Sequence, residues 1–330
     1  MTRRECLELD RREWLRASGT AATLAMVPLS GCLGDSDDTD GESNGDESVP
    51  GEEWLVVPGA LAEDLEHYDV RSTAPATVEE YADDINDGVW EEYQNRWLNW
   101  ETTDPNPSDV HRLLIASGSI SRPPDDRESV SFVVAEHDLD EETLQNDLQA
   151  AGFDTAGEYE GYELLEREDG LDMRALGDGA FISGARDPTE ETDDDARRIL
   201  EAVIDSSQGT AERYIDESEE VSAVLDTLDT RHNYQFDDYP RITQTEGHQG
   251  VFEGSIARGS SSLFEDGQVV GTHAEEFVED TDVIQDAIEQ FLDVAALFAN
   301  AEDLDWDVVG SQVVVDWTVE LELANRLQLG

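Results

Sequence analysis

The sequence contains no lysine, only two cysteines and no long hydrophobic run. All 20 basic residues are arginine, and they face 81 acidic residues, which gives a formal net charge of −61 at pH 7. This balance argues against nucleic-acid binding, since phosphate backbones are bound by clustered cations. Hydrophobic residues make up 38% of the chain, too many for a disordered protein and fewer than is usual for a globular one. We therefore expect a lean folded core.

The excess of carboxylates, with arginine in place of lysine, resembles the surface of proteins from salt-saturated habitats. If residues 54–330 form the folded domain, its surface is roughly 12,000 Å², and the net negative charges on that surface lie about 15 Å apart. Screening acts over about 10 Å at 0.1 M salt and over about 3 Å at 1 M salt. We therefore expect the domain to lose structure at low salt, where its charges repel one another. An acidic protein from an ordinary habitat is the alternative.

Residues 10–16 read D-R-R-E-W-L-R and resemble a twin-arginine export signal. The motif residues are Arg11, Arg12, Trp14, Leu15 and Arg16, with Trp14 where Phe is usual. The weakly apolar stretch 17–29 follows. As a helix it rises about 20 Å, less than the hydrocarbon core of a bilayer at about 30 Å. We therefore expect residues 1–31 to be a signal peptide and not a membrane span.

Residues 29–32 resemble a lipobox, in which the cysteine thiol is acylated and the chain is cleaved before that cysteine. The motif consists of Leu29, Ser30, Gly31 and Cys32. Cys6 would leave with the signal peptide, so the mature domain would contain no disulfide. In this order, the features are similar to those of haloarchaeal twin-arginine lipoproteins. The resemblance covers residues 1–32 alone, and it implies export by the twin-arginine translocase and a lipid anchor at the extracellular face of the cytoplasmic membrane.

Residues 32–53 are rich in acidic residues, glycine, serine, threonine and asparagine, and we predict a disordered tether there. Within it lies a weak match to the spacing of a calcium-binding loop, without the usual first Asp and without flanking helices. The matching residues are Ser36, Asp38, Asp40, Gly41, Glu42, Asn44 and Glu47. Because acidic low-complexity segments match this pattern often by chance, we expect no metal site.

Residues 54–330 are predicted to form the globular part. Helical periodicity predicts helices at 77–97, with a capping box at Thr77 and Glu80, and at 140–151, 194–206, 218–228 and 281–300. Strands are predicted at 112–119, 130–137, 159–167, 180–185, 251–258, 268–272 and 312–323. Asp178-Gly179 and Asp266-Gly267 predict hairpin turns, and we expect the same of Glu160-Gly161 and Gly310-Ser311. The expected class is α+β, an antiparallel sheet built from hairpins with helices on one face.

A similar pattern follows the turns at Asp178 and Asp266: a short strand, an acidic stretch and a helix. This similarity predicts two related subdomains that divide near residues 210–230. One continuous sheet is the alternative.

The sequence matches no zinc motif, nucleophile elbow, phosphate-binding loop or dinucleotide fingerprint. Its many carboxylates neither identify nor exclude a catalytic pair. The six histidines, at 67, 111, 137, 232, 248 and 273, are not spaced as ligands of one metal ion. His273 and Glu276 would lie one turn apart only on a helix, so a solvated pair is favoured. An aromatic row with helical spacing predicts core packing, with a ligand-binding face as the alternative. It consists of Trp90, Tyr93, Trp97 and Trp100.

We therefore expect a non-catalytic binding or structural domain on the cell surface, with no cofactor. The second hypothesis is a solute-binding lipoprotein of a transporter, which a deep cleft between two lobes would favour. The third is a surface hydrolase that uses unassigned acidic residues, which a buried pair of carboxylates in a pocket would favour.

Overall fold

Twelve strands of the described chain form a single antiparallel sheet. The computed structural model describes residues 49–62, 65, 67–85, 87–98, 100, 105–122, 126–167, 172–186, 194–228, 232–238, 255–265, 267–278, 301 and 303–321. The strands are β1 (His67–Thr73), β2 (Val110–Arg122), β3 (Asp126–His137), β4 (Phe153–Tyr159), β5 (Tyr162–Arg167), β6 (Asp172–Gly177), β7 (Ala180–Arg186), β8 (Asn233–Asp238), β9 (Ser255–Glu265), β10 (Gln268–Phe277), β11 (Asp303–Val309) and β12 (Gln312–Glu320). Their order across the sheet is β11-β12-β10-β9-β8-β1-β2-β3-β7-β6-β5-β4.

Helices of the described chain cover both faces of this sheet. They are α1 (Pro58–Leu61), α2 (Pro75–Glu79), α3 (Asp87–Trp97), α4 (Glu141–Ala150), α5 (Asp194–Ser207), α6 (Tyr214–Glu217) and α7 (Glu219–Thr227). We define face A as the side of β1 that carries Tyr68 and Val70, and face B as the side that carries Asp69 and Arg71. Successive side chains of a strand alternate between the two faces. The class is α+β as expected, but the prediction of helices on one face is wrong.

Face A packs against α1, α5, α6, α7 and the segment before α1. Its core is built from strand residues and from the apolar stripes of α5 and α7, including Leu55, Val70, Phe132, Ile182, Ile199, Leu200, Val203, Val224 and Phe236. Two tyrosines buried in this core, Tyr68 and Tyr214, differ in the hydrogen bonding of their hydroxyls. The hydroxyl of Tyr68 has no hydrogen-bond partner in the described structure, whereas the hydroxyl of Tyr214 donates to the carboxylate of Asp238.

Face B packs against α3 and α4 and holds a second apolar cluster. This cluster contains Tyr93, Trp97, Leu113, Leu144, Leu148, Phe153, Leu165, Phe181, Val315 and Trp317. The alternating apolar residues of β12, from Val313 to Val319, are all buried, as their spacing predicted. Each face therefore has its own core, separated by the backbone of the sheet.

The chain enters the fold across face A. The carbonyl oxygen of Pro50 accepts a hydrogen bond from the Tyr234 hydroxyl of β8 at 2.9 Å. Glu52 forms an ion pair with Arg213 at 2.6 Å, and Val56 pairs with Arg213 as an isolated bridge. The described chain thus begins at residue 49, inside the segment 32–53 for which a tether was predicted, and its first residues contact the centre of the sheet.

Three predicted helices, 140–151, 194–206 and 218–228, are confirmed by α4, α5 and α7. Asp140 accepts from the Thr143 amide and Ser218 from the Val221 amide, so both helices begin at a side-chain cap. The single helix predicted at 77–97 is wrong. It is two helices, α2 and α3, joined by turns over residues 80–85.

The reason for the break lies in the sequence. The run D-D-I-N-D-G at 83–88 is poor in helix-forming residues. The capping box at Thr77 is also absent, because α2 begins at Pro75 instead. The helix predicted at 281–300 lies outside the described residues.

Every predicted strand overlaps a strand of the sheet, although 159–167 contains a hairpin turn at Glu160-Gly161. Residues 251–254 and 322–323 of the predicted strands lie outside the described residues. Each expected turn has at least one residue with positive φ, including 52° at Asp178, 80° at Gly267 and 67° at Gly310. Asp266 lies outside the described residues. Five strands were missed: β1, β4, β6, β8 and β11. Among them, β1 and β8 lie at the centre of the sheet and pair with each other.

The sheet is continuous across the predicted boundary near residues 210–230, where α6 and α7 lead from face A into β8. The two turns that suggested a repeat also occupy different places. Asp178-Gly179 joins β6 to β7, whereas the turn at Gly267 joins β9 to β10 next to the centre. The similarity of those two segments therefore does not mark equivalent elements.

Candidate functional site

Polar side chains line up across face B of the central strands. Cross-strand register aligns Ser131, Ser117, Asp69, Asp237, Arg258 and Glu275 in a first row from β3 to β10. It aligns Arg71, Gln235, Ser260 and His273 in a second row from β1 to β10. Neighbours in such a row have Cβ atoms about 5 Å apart. We call these ten residues the polar strip.

Asp237 is held between two basic side chains. Its Oδ1 lies 3.0 Å from Nε2 of His67, and its Oδ2 lies 2.9 Å from Nε of Arg258. Burial alone would raise the pKa of Asp237. The hydrogen bonds and charges of His67 and Arg258 outweigh burial and lower this pKa well below its ordinary range. Asp237 is therefore a carboxylate throughout the neutral pH range.

Asp69 lies directly opposite Asp237 in the register. Its Oδ1 is 3.1 Å from Nε of Arg71. Burial and the negative charge of Asp237 raise the pKa of Asp69 to about 6, and Arg71 offsets them only in part. Because two carboxylates meet at the centre of the sheet, one of them is held ionised and the other titrates near neutrality.

His273 connects Ser260 and Glu275 in the β9–β10 part of the strip. Its Nδ1 lies 3.1 Å from Oγ of Ser260, and its Nε2 lies 3.0 Å from Oε2 of Glu275. All three residues are at most 4% exposed. A polar group so deeply buried is stable only when hydrogen-bonded, and here each has a partner.

The partner of His273 is Glu275, two residues along a strand, whereas the sequence suggested a solvated pair with Glu276. That interpretation is wrong because this segment is a strand, in which residues two apart share a face. Glu276 lies on face A, where it accepts from the Ser311 hydroxyl at 2.6 Å.

One end of the strip is closed by α3. The Thr73 hydroxyl lies 2.8 Å from the Tyr93 hydroxyl and donates to Oδ1 of Asn233 at 2.5 Å. Asn233 in turn donates to the Ser262 hydroxyl at 2.8 Å. This chain of hydrogen bonds fixes α3 to β1, β8 and β9.

Tyr93 of the predicted aromatic row therefore lies beside the strip. Tyr93 and Trp97 are buried in the core of face B, which agrees with the core interpretation for these two residues. Trp90 and Trp100 are half-buried. Trp90 stacks on Tyr93 at 5.3 Å, and Trp100 stacks on Phe181 at 5.2 Å.

The other sites named from the sequence lie outside the described residues. These are the export signal at 11–16, the lipobox with Cys32, and the calcium-loop pattern at 36–47. Within the described ranges, no three His, Cys, Asp or Glu side chains are grouped as metal ligands.

Sequence reasoning missed the polar strip altogether. The available signal was the alternation of charged residues in His67–Thr73 and Asn233–Asp238, where Asp69, Arg71 and Asp237 interrupt short apolar patterns. Only the register of six strands shows that these residues share one face.

No protein-family model matches the sequence, and no curated protein matches it. Solved structures of TP0453 are similar to it at low levels. Crystal form I has a TM-score of 0.43 and 11% sequence identity, over 82% of this chain and 96% of that one. Crystal form IV has a TM-score of 0.44 and 10% identity, over 84% and 99%. Among the described helices, none has the length and apolar character needed to cross a bilayer.

Proposed function

We propose that the protein is a lipid-anchored lipoprotein on the surface of a halophile, and that its sheet domain binds a ligand or partner without catalysis. The signal and lipobox pattern of residues 1–32 supports the location. The polar strip is the observation that carries the binding role. Buried ion pairs are weak contributors to stability, and apolar residues of similar size are often as good. A strip of charged and polar groups across the central strands, with its ion pairs partly or wholly buried, therefore points to recognition.

We further propose that the domain is an internal duplication within one sheet. The strand order β1-β2-β3-β7-β6 recurs as β8-β9-β10-β12-β11 about the β1–β8 pair. When Tyr68 is aligned with Tyr234 and the register is followed outward, Ser117 corresponds to Ser260. This repeat differs from the one suggested by the turn at Asp178.

The duplication supports a functional reading of the strip. Under the same alignment, Arg258 corresponds to Ile115, His273 to Ser131, and Glu275 to Val133. The first repeat therefore fills these places without charge. Since the fold accepts uncharged residues there, the charged groups of the second repeat are not needed to form the sheet.

The anchor is tested with the two cysteines. Cys32→Ser should yield a chain without lipid mass that leaves the membrane fraction, while Cys6→Ser, removed with the signal, should behave as the unmodified protein. Mass spectrometry of the mature N-terminus measures both. A Cys32→Ser chain that stays as firmly in the membrane fraction would contradict the anchor.

The binding role is tested by exchanging residues between repeats. A variant with Arg258→Ile, His273→Ser and Glu275→Val should fold, as judged by circular dichroism in molar salt, and should lose whatever the unmodified protein retains from detergent-solubilised membranes. The matched control is Asp226→Asn, an exposed carboxylate on α7. The proposal is refuted if the triple variant retains the same proteins and small molecules.

A surface hydrolase is a second candidate, favoured by the contacts of Ser260, His273 and Glu275. A serine hydroxyl, an imidazole and a carboxylate in hydrogen-bond sequence form the arrangement of acyl-transfer nucleophiles. In this candidate Ser260 attacks an ester carbonyl, His273 takes its proton and passes it to the leaving alcohol, and water releases the acid. A fluorophosphonate probe should then label Ser260 in the folded protein, and His273→Asn should abolish the labelling. An unlabelled Ser260 rejects the candidate.

The solute-receptor hypothesis ranks below both. Two-lobed receptors enclose their ligand between separate domains, whereas the described strands here belong to one sheet.

A further inference from the structure

β11 is an edge strand of the described sheet. It pairs with β12 on one side, and no described strand pairs with its other side. An edge strand presents a row of backbone amides and carbonyls to which another chain can add a strand. The two large hydrophobic side chains exposed in the described structure, Leu304 at 40% and Val309 at 64%, both lie on it. This edge therefore combines open backbone groups with exposed apolar surface, which favours association.

The hairpin register identifies the amides that point away from the sheet. Val309 and Gln312 flank the two-residue turn at Gly310 and Ser311, and the pair that closes such a turn is hydrogen-bonded. Because bonding alternates along the strand, Asp307 and Asp305 also bond to β12. The amides of Trp306 and Val308 consequently point to the open side.

Both outward amides are already engaged. The Trp306 amide donates to Oδ1 of Asp305 at 2.9 Å, and the Val308 amide donates to Oδ1 of Asp307 at 2.8 Å. In each case the acceptor is the side chain of the preceding residue. A strand that added here would have to displace two carboxylates before it could form its own hydrogen bonds.

We infer that Asp305 and Asp307 block the β11 edge, and that a second copy of the chain pairs with it, antiparallel, once these two side chains are removed. Acidic side chains are plentiful everywhere in this protein, so charge alone does not distinguish the two aspartates. What distinguishes Asp305 and Asp307 from the other acidic residues is that each accepts a hydrogen bond from an outward amide of β11. In molar salt, where screening acts over about 3 Å, such a short-range block still operates while charge repulsion between copies is weak.

The test is the mass of the full chain in molar KCl, measured by light scattering after size exclusion. Asp305→Ala with Asp307→Ala should double the mass. The matched control, Asp303→Ala with Asp226→Ala, removes two exposed carboxylates, neither of which accepts from an outward amide, and should leave the mass unchanged. The variant Asp305→Asn with Asp307→Asn keeps an acceptor oxygen in each side chain and should therefore remain monomeric.

Two results would overturn the inference. One is a double-alanine variant that folds and remains monomeric, and the other is a double-asparagine variant that dimerises as readily as the double-alanine variant. Hydrogen exchange of the unmodified protein provides a measurement that needs no variant. The outward amides of Trp306 and Val308 should exchange more slowly than the outward amide of Leu304. Equal exchange at the three positions would contradict the block.

Discussion

Asp69 is the group through which the centre of the sheet should respond to pH. Its pKa is raised from 3.8 to about 6 by burial and by Asp237. A folded state that holds a proton more tightly than the unfolded state loses stability as the pH rises. For Asp69 this loss starts near the unfolded pKa and is complete above about pH 6.

The size of the effect follows from the shift. Each pKa unit corresponds to about 1.4 kcal/mol, so ionised Asp69 costs the folded state about 3 kcal/mol at neutral pH. Asp69→Asn removes this cost. The free energy of unfolding of the variant, relative to the unmodified protein, should therefore increase by about 3 kcal/mol between about pH 4 and pH 8.

The assay is urea unfolding in molar KCl, followed by tryptophan fluorescence at several pH values. Taking the difference between variant and unmodified protein cancels the titration of the other acids. Asp226→Asn, which changes an exposed carboxylate on α7, is the control, and it should change the free energy of unfolding by less than about 0.5 kcal/mol throughout this range. A difference for Asp69→Asn that does not change with pH would refute the argument.

Three further predictions concern the core and the surface. Tyr68→Phe removes a buried hydroxyl that has no partner in the described structure and should be neutral or stabilising by about 1 kcal/mol, whereas Tyr214→Phe breaks a buried hydrogen bond and should cost about 1 to 2 kcal/mol in the same unfolding assay. Gly271→Ala should destabilise by about 3 kcal/mol or fail to fold, because its Cβ would lie 2.1 Å from the Trp317 ring; Gly59→Ala, with open space around it, should be nearly neutral. Dialysis from molar KCl into dilute buffer should abolish the native circular dichroism spectrum, and a spectrum that persists would contradict the halophilic interpretation.

The elements that could be predicted are those whose periodicity is uninterrupted. The helices α4, α5 and α7 each have an apolar stripe, and β12 alternates cleanly from Val313 to Val319. Their patterns depend on local sequence and on one buried face. Sequence alone was therefore sufficient for them.

The central strands could not be predicted, because their polar residues are stabilised by partners far away in sequence. Asp237 on β8 pairs with His67 on β1 and with Arg258 on β9. Read locally, β1 and β8 are too polar for buried strands. Their burial becomes favourable only when six strands are assembled, and a single sequence does not contain that information in a readable form. The polar strip could not be predicted for the same reason, because its residues come together only through the pairing of strands that are distant in sequence.

The way in which the chain enters the fold has a mechanical consequence. Residues 49–56 cross face A and are fastened to Tyr234 and Arg213, next to the β1–β8 pair. A force transmitted through this segment would reach the middle of the sheet first, and not an edge strand that could peel away one hydrogen bond at a time.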